Sequence, residues 1–246
     1  MEQLYASFFK TKSVHAVIRM RKIRKLLANK KLTLDAGCGS GVLLKEVSRM
    51  GCLGVGLDVN KTYLSTVSAR KDSDCLGVVR GDVCFMPFKN AIFEQVLCSE
   101  VLEHIPNDVG VLAEISRILK SGGILILTVP EIRWSRLMSP RDPRECVWDR
   151  HVRPGYRVQS LERMLEENQL RPRLVDMLVG PFGVLGIYFH EYIITPGFRV
   201  RSWARSQLLW SLEMLFLPIL MGLLELDIAF PSRCKGYTIA LKCVKT

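Results

Sequence analysis

The chain has 246 residues, 48% of them hydrophobic and 24% charged, which excludes a disordered chain and allows one well-cored domain with an insertion. Its net charge of +11 suits nucleic acid, anionic lipid or a phosphorylated substrate, and by itself selects none of them. The eight cysteines are scattered, with no C-x-x-C and no His/Cys cluster, so they read as small buried hydrophobes of a reducing cytosol, and no metal site is expected.

Residues 4–28 read as one helix, with Leu4, Phe8, Val14, Ile18, Ile23, Leu26 and Leu27 opposing Lys10, Lys12, Arg19, Arg21, Lys22, Arg24 and Lys25. This basic segment, 1–30, is either a membrane-surface or polyanion-binding helix or a solvated helix capping the domain. It lacks the apolar stretch and cleavage site of a signal peptide. A cytoplasmic chain is therefore expected, working in the cytoplasm or at the inner face of the membrane.

Leu32–Ala36 is a short apolar strand, followed by the turn Gly37-Cys38-Gly39-Ser40-Gly41 and a helix over Val42–Met50. Alternating glycines let the backbone turn tightly and let a ligand lie against the main chain. The helix that follows points free N–H groups at that ligand, and Asp35 adds a carboxylate at the strand's C-terminal end, where open α/β sheets bind ligands. The dinucleotide fingerprint G-x-G-x-x-G is a competing reading, but Gly41 comes one residue early and Val42 stands where its third glycine belongs.

Further strands are expected over Leu53–Leu57, Leu76–Arg80, Phe93–Cys98 and Gly123–Val129, with helices over Lys61–Ala69 and Asp108–Leu119. Short apolar runs separated by helices of this length predict βαβ units and a parallel sheet. Asp58 closes the second strand seventeen residues after Gly41, placed to accept hydrogen bonds from both hydroxyls of an adenosine ribose. A helix N-cap is its structural alternative, and Asn60 could cap equally well. Asp82 closes the third strand, where its carboxylate and the apolar Val83 suit the amine and face of an adenine ring.

Asp35-x-Gly-x-Gly-x-Gly, Asp58, Gly81-Asp82 with Pro87-Phe88, Glu100-Val101-Leu102-Glu103-His104 and Leu119-Lys120-Ser121-Gly122-Gly123 follow one another in a single order. As a set they resemble the small-molecule class I S-adenosylmethionine-dependent methyltransferases related to quinone-biosynthesis methyltransferases. The likeness covers roughly residues 30–130. Ser121, where the family usually has Pro, and Glu94, where Asp is commoner, depart from it without touching the cofactor residues. The resemblance implies an α/β fold, a Rossmann-like, mostly parallel seven-stranded sheet with helices on both faces and a helical insertion before the last strand. It also implies that S-adenosylmethionine lies over the turn of Gly37, Gly39 and Gly41 near Asp35, with the two earlier glycines beneath its methionine part. Asp58 is then expected at the ribose, Asp82 with Val83 at the adenine, and Ser99 near the sulfonium. His104 follows at a helix start, often a local structural position in the family, and is kept as a second catalytic candidate.

Residues 131–157 form an Arg-rich loop on the side of strand five where this fold usually covers the substrate, and its guanidinium groups suit a phosphate or carboxylate on the acceptor. Interspersed acids leave a solvated, internally paired loop as the alternative. His151-Val152-Arg153, ahead of Tyr156 and a helix over Ser160–Asn168, resembles the segment that closes the lid in related enzymes, which makes His151 the first candidate for a general base. Strands six and seven are expected over Arg173–Val179 and Tyr237–Val244.

The intervening 180–235 includes Gln207–Leu224, eighteen mostly apolar residues containing Glu213 and Pro218. It approaches the length of a transmembrane helix, but strand seven must return to the same sheet and Pro218 would break the helix midway. An apolar hairpin dipping into a membrane interface, flanked by Arg199, Arg201 and Arg205, or a helical lid buried on the protein, is expected instead.

Methyl transfer to a small-molecule or lipid-linked acceptor, with peripheral membrane contact, is the function these features favour. A tRNA or rRNA methyltransferase is the alternative the charge suggests. Against it stand the lack of an Asn-Pro-Pro-Tyr-type motif and of an appended RNA-binding module. A non-catalytic S-adenosylmethionine-binding regulator is the third reading.

Overall fold

The computed structural model describes residues 14–68, 77–133, 151–178 and 237–246. The chain divides into two compact units, Met1–Arg19 with Asp176–Thr238, and Met20–Val175 with Ile239–Thr246. The second unit holds nearly all the described residues. Much of the Arg-rich loop and all of the apolar insertion, including Gln207–Leu224, lie outside them.

In chain order the described elements are α1 (Val14–Leu26), β1 (Leu32–Ala36), α2 (Val42–Arg49), β2 (Leu53–Asp58), α3 (Lys61–Ser68), β3 (Gly77–Arg80), β4 (Phe93–Ser99), α4 (Asp108–Ile118), β5 (Leu119–Pro130), α5 (Val158–Glu167), β6 (Leu170–Met177) and β7 (Thr238–Lys245). The strands form one seven-stranded sheet in the order β3-β2-β1-β4-β5-β7-β6. Pairs β1–β2, β1–β4, β2–β3 and β4–β5 are parallel, as alternating strands and crossover helices require. The order reverses direction at β1, so the ends of β1 and β4 flank a topological switch point, the usual ligand crevice of such sheets.

The central strands are buried on both faces, which explains why they read as continuous apolar runs. Leu34, Leu97 and Leu125 are fully buried there. Ile23, Leu26 and Leu27 at the end of α1 pack with Val47, Cys52, Leu97 and Ile126. That half of the basic helix thus spends its apolar residues on the domain core, as the capping reading requires. The start of β1 is fixed by polar side chains of β4. Glu94 accepts from Leu32 N at 3.0 Å, Gln95 accepts from Ala28 N at 2.9 Å, and the Gln95 amide donates to Thr33 Oγ1 at 3.1 Å. The Glu94 that departs from the resembled pattern therefore has a structural task.

Boundaries differ from the sequence expectation at several ends. Helix α4 stops at Ile118, and β5 starts at once at Leu119, four residues before the expected Gly123. Leu119 has extended backbone and pairs with Phe93 ahead of a register shift between Phe93 and Gln95. Strand β6 begins at Leu170 rather than Arg173, because Gln169 at φ 60° turns the chain sharply out of α5. Cys38, Cys52, Cys98 and Cys243 are buried and Cys84 half-buried, all free thiols. Burial raises the Cys243 thiol pKa to about 12 and that of Cys98 further still, as expected of inert core cysteines. Among the described residues, no helix is long and apolar enough to cross a membrane.

Candidate functional site

The glycine turn is hooked onto the end of β2. Gly37 N and Cys38 N both donate to the Leu57 carbonyl, at 2.8 and 3.0 Å, and Gly39 N donates to Asp58 Oδ2 at 2.8 Å. The other Asp58 oxygen accepts from Asn60 N at 2.8 Å. Asn60, not Asp58, caps α3, its side-chain oxygen accepting from Thr62 N at 2.9 Å. Asp58 is therefore left to face the turn, and the N-cap alternative for it falls away.

All three glycines have positive φ, 75° at Gly37, 49° at Gly39 and 74° at Gly41. Gly37 and Gly41 are also packed. A Cβ at Gly37 would stand 2.5 Å from Val101 Cγ2, and one at Gly41 2.7 Å from Val67 Cγ2. Around Gly39 no atom lies within 4 Å of such a Cβ. This is open space against bare backbone, shaped for a ligand. Helix α2 opens at Gly41 with no side-chain cap, which leaves its first N–H groups for that ligand. Asp35, nearly fully buried, stands at the end of β1 below the turn, level with Gly56 and Leu97.

One strand along, Gly81 N donates to the Asp58 carbonyl at 3.1 Å, bringing the β3 exit beside the β2 exit. Asp82 is exposed, with Oδ1 accepting from Cys84 N at 2.8 Å, while Val83 is buried. Burial and the Asp82 carboxylate raise the Cys84 thiol above its ordinary pKa. Phe85 is 78% exposed on the same turn.

A clamp on α4 holds this loop. Arg117 donates to the carbonyls of Met86 and Phe88 and to Asn90 Oδ1, at 2.9, 2.7 and 2.8 Å. Glu114 pairs with Arg117 at 2.7 Å and accepts from Met86 N at 2.7 Å. The hydrogen bonds from Arg117 hold the Glu114 carboxyl below its ordinary pKa. A lowered folded-state pKa stabilises the protein above the unfolded value of about 4.3, and that stabilisation is lost as pH falls through the folded pKa. Arg117→Ala is expected to lower stability by about 2 kcal/mol, since bonds to charged groups are worth about 1.5–3 kcal/mol. Glu114→Gln should flatten the acid limb of a Tm-against-pH profile. An unchanged acid limb in Glu114→Gln would contradict the clamp.

The third group lies where β4 ends, between β1 and β5. Ser99 Oγ shares a hydrogen bond with Thr128 Oγ1 at 2.8 Å, so its hydroxyl is set by the neighbouring strand. Glu100 follows at φ 54°, its N–H donating to the Thr128 carbonyl at 2.9 Å. A non-glycine residue in this region costs about 1–3 kcal/mol, which the surrounding structure must offset. A short 3-10 turn, Leu102–His104, comes next.

The segment 151–157 is latched to this turn and to β5. Val152 N donates to the Glu103 carbonyl at 2.8 Å, and Tyr156 N to the Pro130 carbonyl at 2.9 Å. The Tyr156 hydroxyl donates to Asp108 Oδ2 at 2.9 Å, Arg153 pairs with Asp108, and Arg153 also donates to the carbonyls of Ile105 and Pro106, each at 2.9 Å. Burial raises the Tyr156 pKa, which keeps the hydroxyl a donor. The latch sets His151 against His104, ring centroids 4.6 Å apart and edge to face.

The residues named from sequence thus fall into two places. Asp35, Gly37, Gly39, Gly41, Asp58, Asp82, Val83 and Ser99 lie at or just beyond the C-terminal ends of the adjacent strands β1 to β4. His104 and His151 meet beyond β4. The sequence marked Arg153 and Tyr156 only as part of a lid-closing segment; it did not show Asp108 as their partner, nor Glu103 as a buried carboxylate beside the histidines. No spacing pattern joins these residues, because the fold alone closes the gap of some 45 residues between them.

A family model described as a methyltransferase domain matches residues 34–127. A ubiquinone biosynthesis O-methyltransferase of Methylococcus capsulatus is 30% identical over 124 residues, 48% of this chain and 52% of that protein. A sterol 24-C-methyltransferase of Eremothecium gossypii is 38% identical over 100 residues, 38% of this chain and 26% of that protein. The chain thus spans about half the length, or less, of these curated relatives. An S-adenosylmethionine-dependent methyltransferase from Thermotoga maritima has the same fold, with a TM-score of 0.63 and 12% identity over the whole of both chains. The open space at Gly39, the uncapped start of α2 and the carboxylate of Asp58 suit the charged methionine end and the ribose of the cofactor such domains use. Residues 34–127 of this chain thus match a methyltransferase domain, and the sheet that holds them has the fold of S-adenosylmethionine-dependent methyltransferases, whose cofactor the residues of the glycine turn suit.

Proposed function

We propose that the protein transfers a methyl group from S-adenosylmethionine to an oxygen atom of a small, apolar or lipid-linked acceptor. The observation that carries this reading is the pair His104–His151 at the exit of β4, one turn beyond the glycine cradle. The matched relatives are named for ubiquinone biosynthesis and for sterol methylation, and the apolar stretch Gln207–Leu224 in the sequence suits an acceptor of that character.

Bound in the cradle, S-adenosylmethionine supplies an electrophilic methyl group on a sulfonium whose leaving group is a neutral thioether. The chain's own task is mostly to align and to exclude water, which can supply about 7–11 kcal/mol of the barrier when reacting atoms are held in line. Asp58 accepts hydrogen bonds from the ribose hydroxyls on the lone pairs left free by its two backbone donors. Gly37 and Gly39 give the methionine part a bare backbone to lie on, and Asp82 with Val83 receives the adenine. A hydroxyl acceptor must lose a proton, and His151 is the general base in this reading. The latch of Tyr156 and Asp108 keeps that imidazole in place.

The test is transfer of labelled methyl from S-adenosylmethionine into membrane lipid extract, a polar metabolite pool and total RNA, assayed side by side. Label in the lipid extract is expected, reduced on the order of 100-fold in His151→Ala, within the range general bases contribute. Label in RNA alone would replace this reading with nucleic acid methylation, and cofactor binding without transfer to any pool would replace it with a regulatory role.

A further inference from the structure

The nitrogens of His104 and His151 and a carboxylate oxygen of Glu103 all lie within 4.8 Å of one another. Glu103 is fully buried and the two imidazoles are half-buried. The three come from two separate segments that the backbone itself ties together. Glu103 and His104 are adjacent in the 3-10 turn, and the Glu103 carbonyl accepts from Val152 N, next to His151. The Arg153–Asp108–Tyr156 latch holds the same segment from the other side. Two imidazoles and one carboxylate on fixed backbone are the donor set that borderline divalent cations take, with positions left open for water or substrate. Magnesium and calcium prefer shells built of oxygen, so this set selects against them.

We propose that Glu103, His104 and His151 bind one first-row divalent cation of the zinc, manganese or iron class. The open positions would take the acceptor oxygens of a vicinal dihydroxy or hydroxy-keto group. Ligands about 2.0–2.2 Å from a tetrahedral zinc stand about 3.4 Å apart, so the side chains close by about an ångström on binding, a movement that χ rotations supply. The site lies beyond β4, on the acceptor side of the cofactor cradle. The acceptor role rests on the methyltransferase reading, whereas cation binding does not.

A bound cation lowers the pKa of an oxygen it holds, which makes the deprotonated form available near neutral pH. In the step that follows, the acceptor hydroxyl gives its proton to a solvent base and its oxygen stays on the cation. That oxygen forms a bond to the methyl carbon as the carbon–sulfur bond breaks, and the electron pair remains on sulfur as a neutral thioether. In this state His151 acts as a ligand, and the base is solvent.

The experiment is titration of the chelator-treated, tag-free chain with Zn²⁺ by calorimetry and with Co²⁺ by visible absorption, on wild type, His151→Ala and the His104→Ala/His151→Ala double variant. One equivalent is expected on wild type, with a d–d band for cobalt. Affinity should fall by more than about 100-fold in the variants, because even outer-shell partners of metal ligands are worth about 10–100-fold. His151→Ala removes a half-buried side chain outside the core, and its circular dichroism and Tm should match wild type. S-adenosylmethionine is titrated into the same samples. Histidine-dependent cation binding without S-adenosylmethionine binding would uphold the metal site and overturn the methyltransferase reading. S-adenosylmethionine binding with no cation binding, or with cation binding unchanged in the double variant, would overturn the metal site alone.

Discussion

Replacing Asp58 by alanine is expected to weaken S-adenosylmethionine binding on the order of 100-fold while leaving the chain folded. Both carboxylate oxygens are engaged by backbone N–H groups, Gly39 on one side and Asn60 on the other, so the group is already aimed at the turn. Bonds to a charged group are worth about 1.5–3 kcal/mol each, and about 1.4 kcal/mol is a factor of ten. Losing two ribose bonds therefore accounts for about two decades. Helix α3 keeps its own cap from Asn60, so the fold should lose little. Asp58→Asn separates the parts, since an amide oxygen can still accept from Gly39 while the charge is gone. Titration of each variant with S-adenosylmethionine, alongside thermal melts, checks this. Wild-type affinity in a folded Asp58→Ala protein would remove Asp58 from the site.

The glycines of the turn should split into two kinds, and this is the second large effect. Gly37→Ala is expected to cost about 3 kcal/mol of stability. Its methyl would press to 2.5 Å from Val101 Cγ2 in a buried corner, an overpacking that costs about 1–3 kcal/mol, and alanine at positive φ adds about 1–2 kcal/mol. Val101→Ala in the same chain should return the packing part and leave the backbone part. Gly39→Ala meets no atom within 4 Å, so only the backbone cost of about 1–2 kcal/mol applies. Its methyl would instead fill the open space of the cradle and abolish cofactor binding in a folded protein. Equal melting temperatures for Gly37→Ala and wild type, or unchanged cofactor affinity in Gly39→Ala, would contradict this division.

The sheet was legible where local pattern and tertiary demand agree. Strands buried on both faces read as apolar runs, and the turn from Gly37 to Gly41 announced a helix N-terminus because glycine takes three positive φ values in a row of five at least cost. Asp58 and Asn60 could not be told apart as caps from sequence, since both are cap-forming residue types just ahead of α3. The bonds from Gly39 N to Asp58 and from Thr62 N to Asn60 assign them. The start of β5 at Leu119 was hidden because Ser121, Gly122 and Gly123 read as a turn, whereas pairing with Phe93 recruits Leu119 into the sheet.

The acceptor side was the least legible part. His104 and His151 were picked out singly, each by a family resemblance, one in the motif after β4 and one in a lid-closing segment. Glu103 was read only as part of the motif Glu100-Val101-Leu102-Glu103-His104, with no role of its own. It is fully buried, and the segment after His151 donates two backbone N–H groups to its carbonyl. The expectation of no metal site rested on linear spacing alone, and the proposed cation site would reverse it.

Calorimetric titration of the purified chain with S-adenosylmethionine and with its demethylated product, beside NADH, tests the central claim most directly. Binding of the two sulfur ligands at micromolar concentration, with no heat from NADH, is the predicted result. Binding of NADH in their place, or of none of the three, would contradict the assignment of the glycine turn and every site residue that depends on it.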